Sequence, residues 1–385
     1  MAAIELIAEE DSKLSCGSSV DRISPLPPEI KDRIAHFLPL QDAIKASSLS
    51  IHWRHHWLHR RDLVLDQSFF YAWAKFRSTT LSEAGAHEYL NIVCSVLRCH
   101  IGSIRKFVLY VPDWLGIDFD FITPWIQILS DKSVQEFCLI QELHAYHMEF
   151  PWYMFSCVRF DHLTHLALIN FRFPYDLRLP WDFPSLISLQ LHVHIHVALC
   201  DWQPDSFKLL ISKCPLLETL DLKVGQAQSS LSIQAPKLQN LCLYGRFSRL
   251  CLEETEQVKT LSLQASLDDS HDTWMEFFNC LPQLEKLILG NTFWEVEYLI
   301  FDDNMMVDQD CYLCHLKFAK LSCSMRSSRI LLPLGKLILA SSPVLEALSF
   351  EAEVPVDEVL NIEQEVSRYY RASANVKITV KYRKA

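Results

Sequence analysis

A proline followed by apolar residues two, five and seven positions later constrains this chain more than any other feature. It occurs in "FPSLISLQLHV" (183 to 193), "CPLLETLDLKV" (214 to 224), "APKLQNLCLYG" (235 to 245), "LPQLEKLILGN" (281 to 291) and "SPVLEALSFEA" (342 to 352). The same apolar spacing without the proline recurs at Ile104/Phe107/Leu109, Val134/Phe137/Leu139, Leu163/Leu166/Leu168 and Val258/Leu261/Leu263, and more loosely in "HLKFAKLS" from Leu316. Successive copies start 20 to 32 residues apart. The last two apolar residues of each copy are two apart, so on a strand both point to one side while the residue between them points to the other.

No single copy can bury its apolar side, so the copies must stack. A period of this length and pattern is that of leucine-rich repeats, with a parallel sheet on the concave side and irregular or helical returns outside. Only 8 glycines and the uneven spacing predict irregular returns. "PDSFKLLISKCP" and "TWMEFFNCLP" read as return helices that end before a repeat proline. "ANVKITVKYRKA" reads as an alternating strand with a charged tail, suited to the polar-edged end that a stacked array requires.

The other constraint lies near the start. In "LPPEIKDRIAHFLPL" (26 to 40), Ile30, Ile34, Phe37 and Leu38 form a 3.6-residue stripe, Pro28 fits a first helical turn, and Pro39 ends the helix. "QDAIKASSL" predicts a second helix. "SIHWRHHWLHRR" predicts a third, with Ser50 as N-cap and Trp53 and Trp57 on one face. Three short helices are at or below the size that sustains its own core, and no cysteine lies between Asp21 and Asp62 to staple them. Either they pack on the rest of the chain or a partner covers them.

The composition, 50% apolar and 22% charged over 385 residues, is that of a globular chain of two or three domains or one elongated array. A net charge of -11 with no basic cluster in the sequence argues against nucleic acid as a partner. The opening "MAAIELIAEEDSKLSCGSSV" is acidic where a signal peptide is basic, and reads as a flexible lead-in; no stretch has the length of a membrane span. The 13 scattered cysteines fit reduced thiols, hence an expected location in nucleus or cytoplasm.

"DRISPLPPEIKDRIAHFLPLQDAIKASSLSIHWRHHW" resembles the F-box, in the form found in the plant F-box/FBD/LRR-repeat family. The matching residues run in order through Asp21, Arg22, Ile23, Leu26, Pro27, Glu29, Ile30, Ile34, Phe37, Leu38, Pro39, Asp42, Ala43, Leu49, Ser50, Trp53, Arg54 and Trp57. Ser48 stands where that family usually has valine, and Ile51-His52 replaces its usual basic pair. "HEYLNIVCSVLRCHIGSIRKFVL" is similar to the family's helix and first strand after the F-box, and "FKLLISKCPLLETLDL" to its repeats. "LILASSPVLEALSF" through "EVSRYYRASANVKITVKY" is similar to its closing FBD segment. The resemblance implies a three-helix F-box at 21–62, a helical connector at 63–100, repeats over 101–330, and a last repeat with an FBD-like cap at 331–385, after a lead-in of 1–20. It also implies a substrate-recognition subunit of a Skp-cullin-F-box ubiquitin ligase. The F-box would bind the Skp adaptor, and cullin through it, while the repeats hold a target protein. The expected adaptor contacts are Leu26, Pro27, Ile30, Ile34, Leu38, Leu40, Leu49, Trp53 and Trp57, though sequence does not separate residues facing the adaptor from residues packing the helices. The alternative is a repeat scaffold with no ligase role, its F-box kept as a structural cap.

Signals for chemistry are few. "CYLCH" (Cys311, Cys314, His315) matches a haem-attachment spacing but adjoins a repeat and lacks an export context, so core packing is the expectation. His192, His194 and His196 alternate on one strand face, side by side rather than converging on an ion; they read as displayed partner-contacting groups. Phosphate loops, nucleophile elbows and paired metal histidines are missing from the sequence. The expectation is a non-catalytic protein without metal or cofactor, whose partners are proteins rather than nucleic acid or membrane.

Overall fold

The computed structural model describes residues 23–77, 83–112, 123–142, 152, 160–171, 182–193, 204–226, 230–247, 249–267, 278–290, 313–323, 328–352 and 356–382. The chain divides into two compact units, Met1–Phe171 and Arg172–Ala385.

The first unit opens with helices α1 (Pro28–Phe37) and α2 (Leu40–Leu49) and a 3₁₀ turn (His56–His59). Strand β1 (Asp62–Leu65), helices α3 (Gln67–Arg77) and α4 (Glu83–Cys99), β2 (Lys106–Val111), α5 (Thr123–Asp131), β3 (Glu136–Gln141) and β4 (His165–Ile169) follow. Its strands pair in parallel in the order β1-β2-β3-β4. Two buried rows cross it in register: Leu63, Phe107, Phe137, Leu166, then Leu65, Leu109, Leu139, Leu168.

The second unit holds β5 (Ser188–His192), α6 (Pro204–Ser212), β6 (Thr219–Gln226), β7 (Leu231–Gln234), β8 (Asn240–Phe247) and β9 (Leu250–Glu253). They are followed by β10 (Thr260–Leu267), β11 (Lys286–Leu289), β12 (Phe318–Cys323), α7 (Ser328–Ser341), β13 (Ala347–Ala352), α8 (Val356–Ser367) and β14 (Lys377–Tyr382). Its main sheet runs β5-β6-β8-β10-β11-β12-β13-β14, all parallel. Strands β7 and β9 pair with each other in a separate two-stranded sheet. The buried rows are Leu189, Leu220, Leu241, Leu261, Leu287, Ala319, Leu348 and Leu191, Leu222, Leu243, Leu263, Leu289, Leu321, Phe350.

The repeat proline has a local cause. In each proline-bearing copy the first leucine donates its backbone N–H to the carbonyl of the residue before the proline: Leu186 to Phe183, Leu217 to Cys214, Leu238 to Ala235, Leu284 to Leu281 and Leu345 to Ser342, at 3.1 to 3.4 Å. The proline therefore sits at the second position of a tight turn, where its fixed φ is already correct. After the turn, one carbonyl accepts two consecutive N–H groups of the next copy. Ile187 takes Glu218 and Thr219, Glu218 takes Gln239 and Asn240, and Gln239 takes Lys259 and Thr260. Successive strands thus start in register, and the leucines of one copy lie beside those of the next.

Every repeat strand expected from the sequence is present, with α6 and the terminal strand β14. Only residues 278–282 of the second expected return helix are described, with a helical turn at 278–279. Three features differ. Strand β1 precedes the strand expected to be first; it carries only Leu63 and Leu65 and lacks the upstream apolar residue that marks the other copies. The β7 and β9 pair was not anticipated. The third N-terminal helix is instead a series of turns ending in the 3₁₀ segment. Its bonds all span three residues, Trp53 to Ser50, His56 to Trp53, Leu58 to His55 and Arg60 to Trp57. That tighter winding turns both Trp53 and Trp57 into the core from a segment too short to extend a four-residue ladder. Ser50 still caps it, its Oγ accepting the backbone N–H of His52 at 3.2 Å.

Gly245 has φ of 140°, and a Cβ there would stand 2.3 Å from the carbonyl oxygen of Val224 on the adjacent strand. Gly102 has φ of 90° but open space around it. Gly245→Ala is expected to lower the unfolding free energy by about 2–4 kcal/mol and Gly102→Ala by about 1–2 kcal/mol, measured by urea unfolding. Equal losses would mean that close strand approach is not what selects glycine at 245.

Candidate functional site

The N-terminal helices bury one face and leave another bare. In α1 the residues turned inward are Lys31 and Ala35, joined in the core by Leu40, Ala43, Ile44, Trp53 and Trp57. The apolar stripe lies elsewhere on the helix. Ile30 is 40% and Phe37 81% exposed, Ile34 and Leu38 are half-buried at its margin, and Ile23 and Ile51 are exposed as well. Leu26 is half-buried and Pro27 exposed. Of the nine residues expected at the adaptor contact, Leu26, Pro27, Ile30, Ile34 and Leu38 reach the surface, whereas Leu40, Trp53 and Trp57 are packing residues. The tryptophans face inward because their large apolar area outweighs any other use in so small a core. The side chain of Leu49, which ends α2, lies outside the described residues.

Arg60 fastens this segment. Its guanidinium donates to the carbonyl of Leu38 at 2.8 Å and of His36 at 3.2 Å, satisfying the free carbonyls at the end of α1. Its own carbonyl accepts a hydrogen bond from Nε2 of buried His100 at 2.7 Å, and Lys132 Nζ donates to the His100 carbonyl. Burial lowers the affinity of His100 for a proton, and the nearby Lys132 and His59 lower it further, against the Arg60 carbonyl that favours the charged form. His100 is held neutral. His56 is gripped from both sides: Nδ1 lies 2.6 Å from Asp32 Oδ1 and Nε2 lies 2.9 Å from the His52 carbonyl. Together these contacts hold α1 with its apolar stripe turned away from the core.

The second unit displays the residues between its paired leucines. In register they form two rows, Gln190, Asp221, Cys242, Ser262 and then His192, Lys223, Tyr244, Gln264. Gln190 Nε2 donates to Asp221 Oδ2 at 2.9 Å, and His192 Nε2 lies 3.0 Å from the same oxygen. Lys223 Nζ lies 5.8 Å from the Tyr244 ring centroid. Burial works against ionisation of Asp221, but the His192 hydrogen bond and charge and the Gln190 amide outweigh it and hold the carboxyl below its ordinary range. The Asp221 contact was missed in the sequence, although laying "SLQLHV" over "TLDLKV" places Gln190 beside Asp221 and would have found it. His192 is therefore engaged within the sheet; His194 and His196 lie outside the described residues.

Burial pushes the Cys138 thiol up to about 11 and the Cys214 thiol up to about 12, away from nucleophilic use. Cys311 lies outside the described residues, and Cys314 and His315 are exposed rather than packed; Leu313 and Leu316 fill the core in their place. Among the described residues no three His, Cys, Asp or Glu side chains converge on a metal position, and no helix is long and apolar enough to cross a membrane.

Parallel strands with buried leucine rows define a leucine-rich-repeat protein. Residues 122–256 match the family model described as "FBD-associated F-box protein At5g56370, LRR repeats". The chain is 32% identical over 289 residues to the F-box/FBD/LRR-repeat protein At1g13570 of Arabidopsis thaliana, covering 71% of this chain and 62% of that protein. It is 27% identical over 244 residues to the putative F-box/FBD/LRR-repeat protein At2g05300 of the same plant, covering 63% and 49%. F-box/LRR-repeat protein 13, also from Arabidopsis thaliana, is 27% identical over 219 residues, covering 56% and 44%. These similarities support membership of the plant F-box/FBD/LRR-repeat family, and the chain spans between about two fifths and three fifths of the length of these relatives.

Because the carboxyl of Asp221 is depressed, its contribution to stability is present above the ordinary carboxylate range and is lost as pH falls through the folded-state value. Asp221→Asn is expected to cost about 1 kcal/mol at neutral pH, with the gap to the unmodified chain closing as the solution is acidified. Unfolding curves across pH check this; a gap that is constant with pH would mean the charge on Asp221 is immaterial.

Proposed function

We propose that this chain is the substrate-recognition subunit of a Skp-cullin-F-box ubiquitin ligase. In this reading residues 21–62 are the F-box, 331–385 carry the FBD-like closure, and the names of the relatives, which pair F-box with LRR, support the assignment. The observation that carries it is the bare apolar stripe on α1, where Ile30 and Phe37 are exposed while Lys31 faces the core. An exposed run of apolar side chains on one helix face costs solubility unless another protein covers it. A helix face of this kind is also an established mode of protein recognition. The adaptor occupies the stripe through Leu26, Pro27, Ile30, Ile34, Phe37 and Leu38, and cullin is reached through the adaptor. Target proteins meet the displayed rows of the repeats.

The chain itself is non-catalytic in this role. Holding a target beside a ubiquitin-loaded enzyme replaces a bimolecular encounter with a local one, and that proximity supplies the acceleration. Work of this kind places the chain in the nucleus or cytoplasm.

Ile30→Asp with Phe37→Asp is expected to weaken adaptor binding by at least about tenfold, as is Leu26→Ala with Pro27→Ala. Titration calorimetry of the full chain with Skp adaptor checks both, and circular dichroism checks that these surface changes spare the fold. Unchanged affinity in the variants means the docking surface lies elsewhere. Absence of binding by the unmodified chain leaves a repeat scaffold without a ligase role.

A further inference from the structure

Beside the end of α1 lies an open cleft of about 480 Å³ lined by Arg33, Phe37, His59, Arg60, Arg61 and Arg105, with Asp32 and Asp62 among its other walls. Its acidic side chains are already matched. Asp32 is held by His56, and Asp62 by Arg105, which also reaches Glu136 at 3.4 Å. The guanidiniums of Arg33 and Arg61 are exposed and have no hydrogen-bond or ion-pair partner among the described residues. Arg60 is only 9% exposed. Its two terminal nitrogens are taken by the Leu38 and His36 carbonyls, but its buried Nε has no partner among the described residues. The cleft therefore holds unmatched positive charge, in a chain whose net charge is -11.

Phe37 belongs to both features: it lines the cleft and is the most exposed residue of the apolar stripe. A protein covering the stripe therefore passes the mouth of the cleft. We propose that the cleft takes a carboxylate-bearing segment of the protein docked on that stripe, with Arg33 and Arg61 meeting its acidic side chains while an adjoining apolar residue packs on Phe37. The inference rests on the docking role given above and names the chemistry of the partner's edge. Guanidinium forks suit carboxylates because two parallel N–H groups meet two oxygens. Charges at the rim of an interface act mainly on the rate of encounter and on salt dependence.

The test is the association rate of the full chain with Skp adaptor, by stopped flow or surface resonance, for the unmodified chain, Arg33→Glu with Arg61→Glu, and Arg98→Glu as an exposed arginine outside the cleft lining. The double variant is expected to associate about tenfold more slowly at about 0.05 M salt and within about twofold of the unmodified chain at about 0.5 M, where charges are screened. Arg98→Glu is expected to match the unmodified chain. Double Arg→Gln should lie between, since it removes charge without reversing it. Equal rates for the double variant and the unmodified chain overturn the cleft assignment and leave the docking role standing. Failure of the unmodified chain to bind overturns both. Inorganic phosphate added at constant ionic strength is expected to have no effect. Slowing by phosphate that also abolishes the difference between unmodified and double variant would assign the cleft to a free anion and overturn the proposal.

Discussion

A strand with leucines on one side has no way to bury them by itself, and the rest of the structure follows from that constraint. Neighbouring copies must lie side by side with their leucines level, which demands a fixed register. The register comes from the turn before each strand, where a proline or its equivalent sets the direction and one carbonyl receives two N–H groups from the next copy. Burial of each leucine removes apolar surface worth about 1.5–3 kcal/mol, but only when both neighbours are present, so the stabilisation belongs to the stack rather than to any copy. In the second unit the opposite side of the repeat strands stays outside the buried rows. That position frees Gln190, Asp221, Lys223 and Tyr244 to carry polarity and charge that a core position would reject.

The N-terminal helices solve the same problem with less material. Two indoles and a few aliphatic side chains make their core, and Arg60 ties the end of α1 to the segment that leads into β1. His100 and Lys132 extend the tie to the neighbouring repeats of the first unit. A buried arginine bonded to backbone carbonyls is a directional restraint, unlike an apolar contact, which tolerates rotation. It fixes which side of α1 faces water. Without such a restraint an amphipathic helix of ten residues would roll its isoleucine and phenylalanine inward and expose Lys31.

That restraint also explains what could be read from the sequence and what could not. The repeats were legible because the period, the proline and the two-residue spacing all derive from local geometry. Strand β1 was not, because Leu63 and Leu65 alone do not distinguish a strand from any other apolar pair. The second helix and α6 followed from their apolar spacing, whereas the third helix failed because spacing at 53 and 57 fits both an α-helix and a run of tight turns. On the N-terminal helices the stripe itself was visible, but its side was not. Leu40, Trp53 and Trp57 look no less suited to a partner than Ile30 and Phe37, and hydrophobicity alone does not tell an inner core from an outer contact. Arg60 gave no signal, since one arginine in "LHRRD" resembles its neighbour Arg61 until the carbonyls of α1 are in place.

The two arginines at 60 and 61 put adjacent residues to opposite uses, one buried in the fold and one left in solvent. Arg60 is withdrawn from water, and that burial lowers its proton affinity despite the nearby Asp62; two backbone carbonyls compensate much of the lost hydration. Arg61 keeps its side chain in solvent with no partner among the described residues, so its charge contributes little to stability. A charge that the fold does not use is free to act on an approaching molecule. Beside an apolar stripe it also adds selectivity, because burying an unmatched cation under a neutral partner would cost more than the stripe's few exposed side chains return. The pairing of stripe and cleft thus favours a partner whose apolar surface is edged with acid, and it disfavours apolar surfaces that lack such an edge.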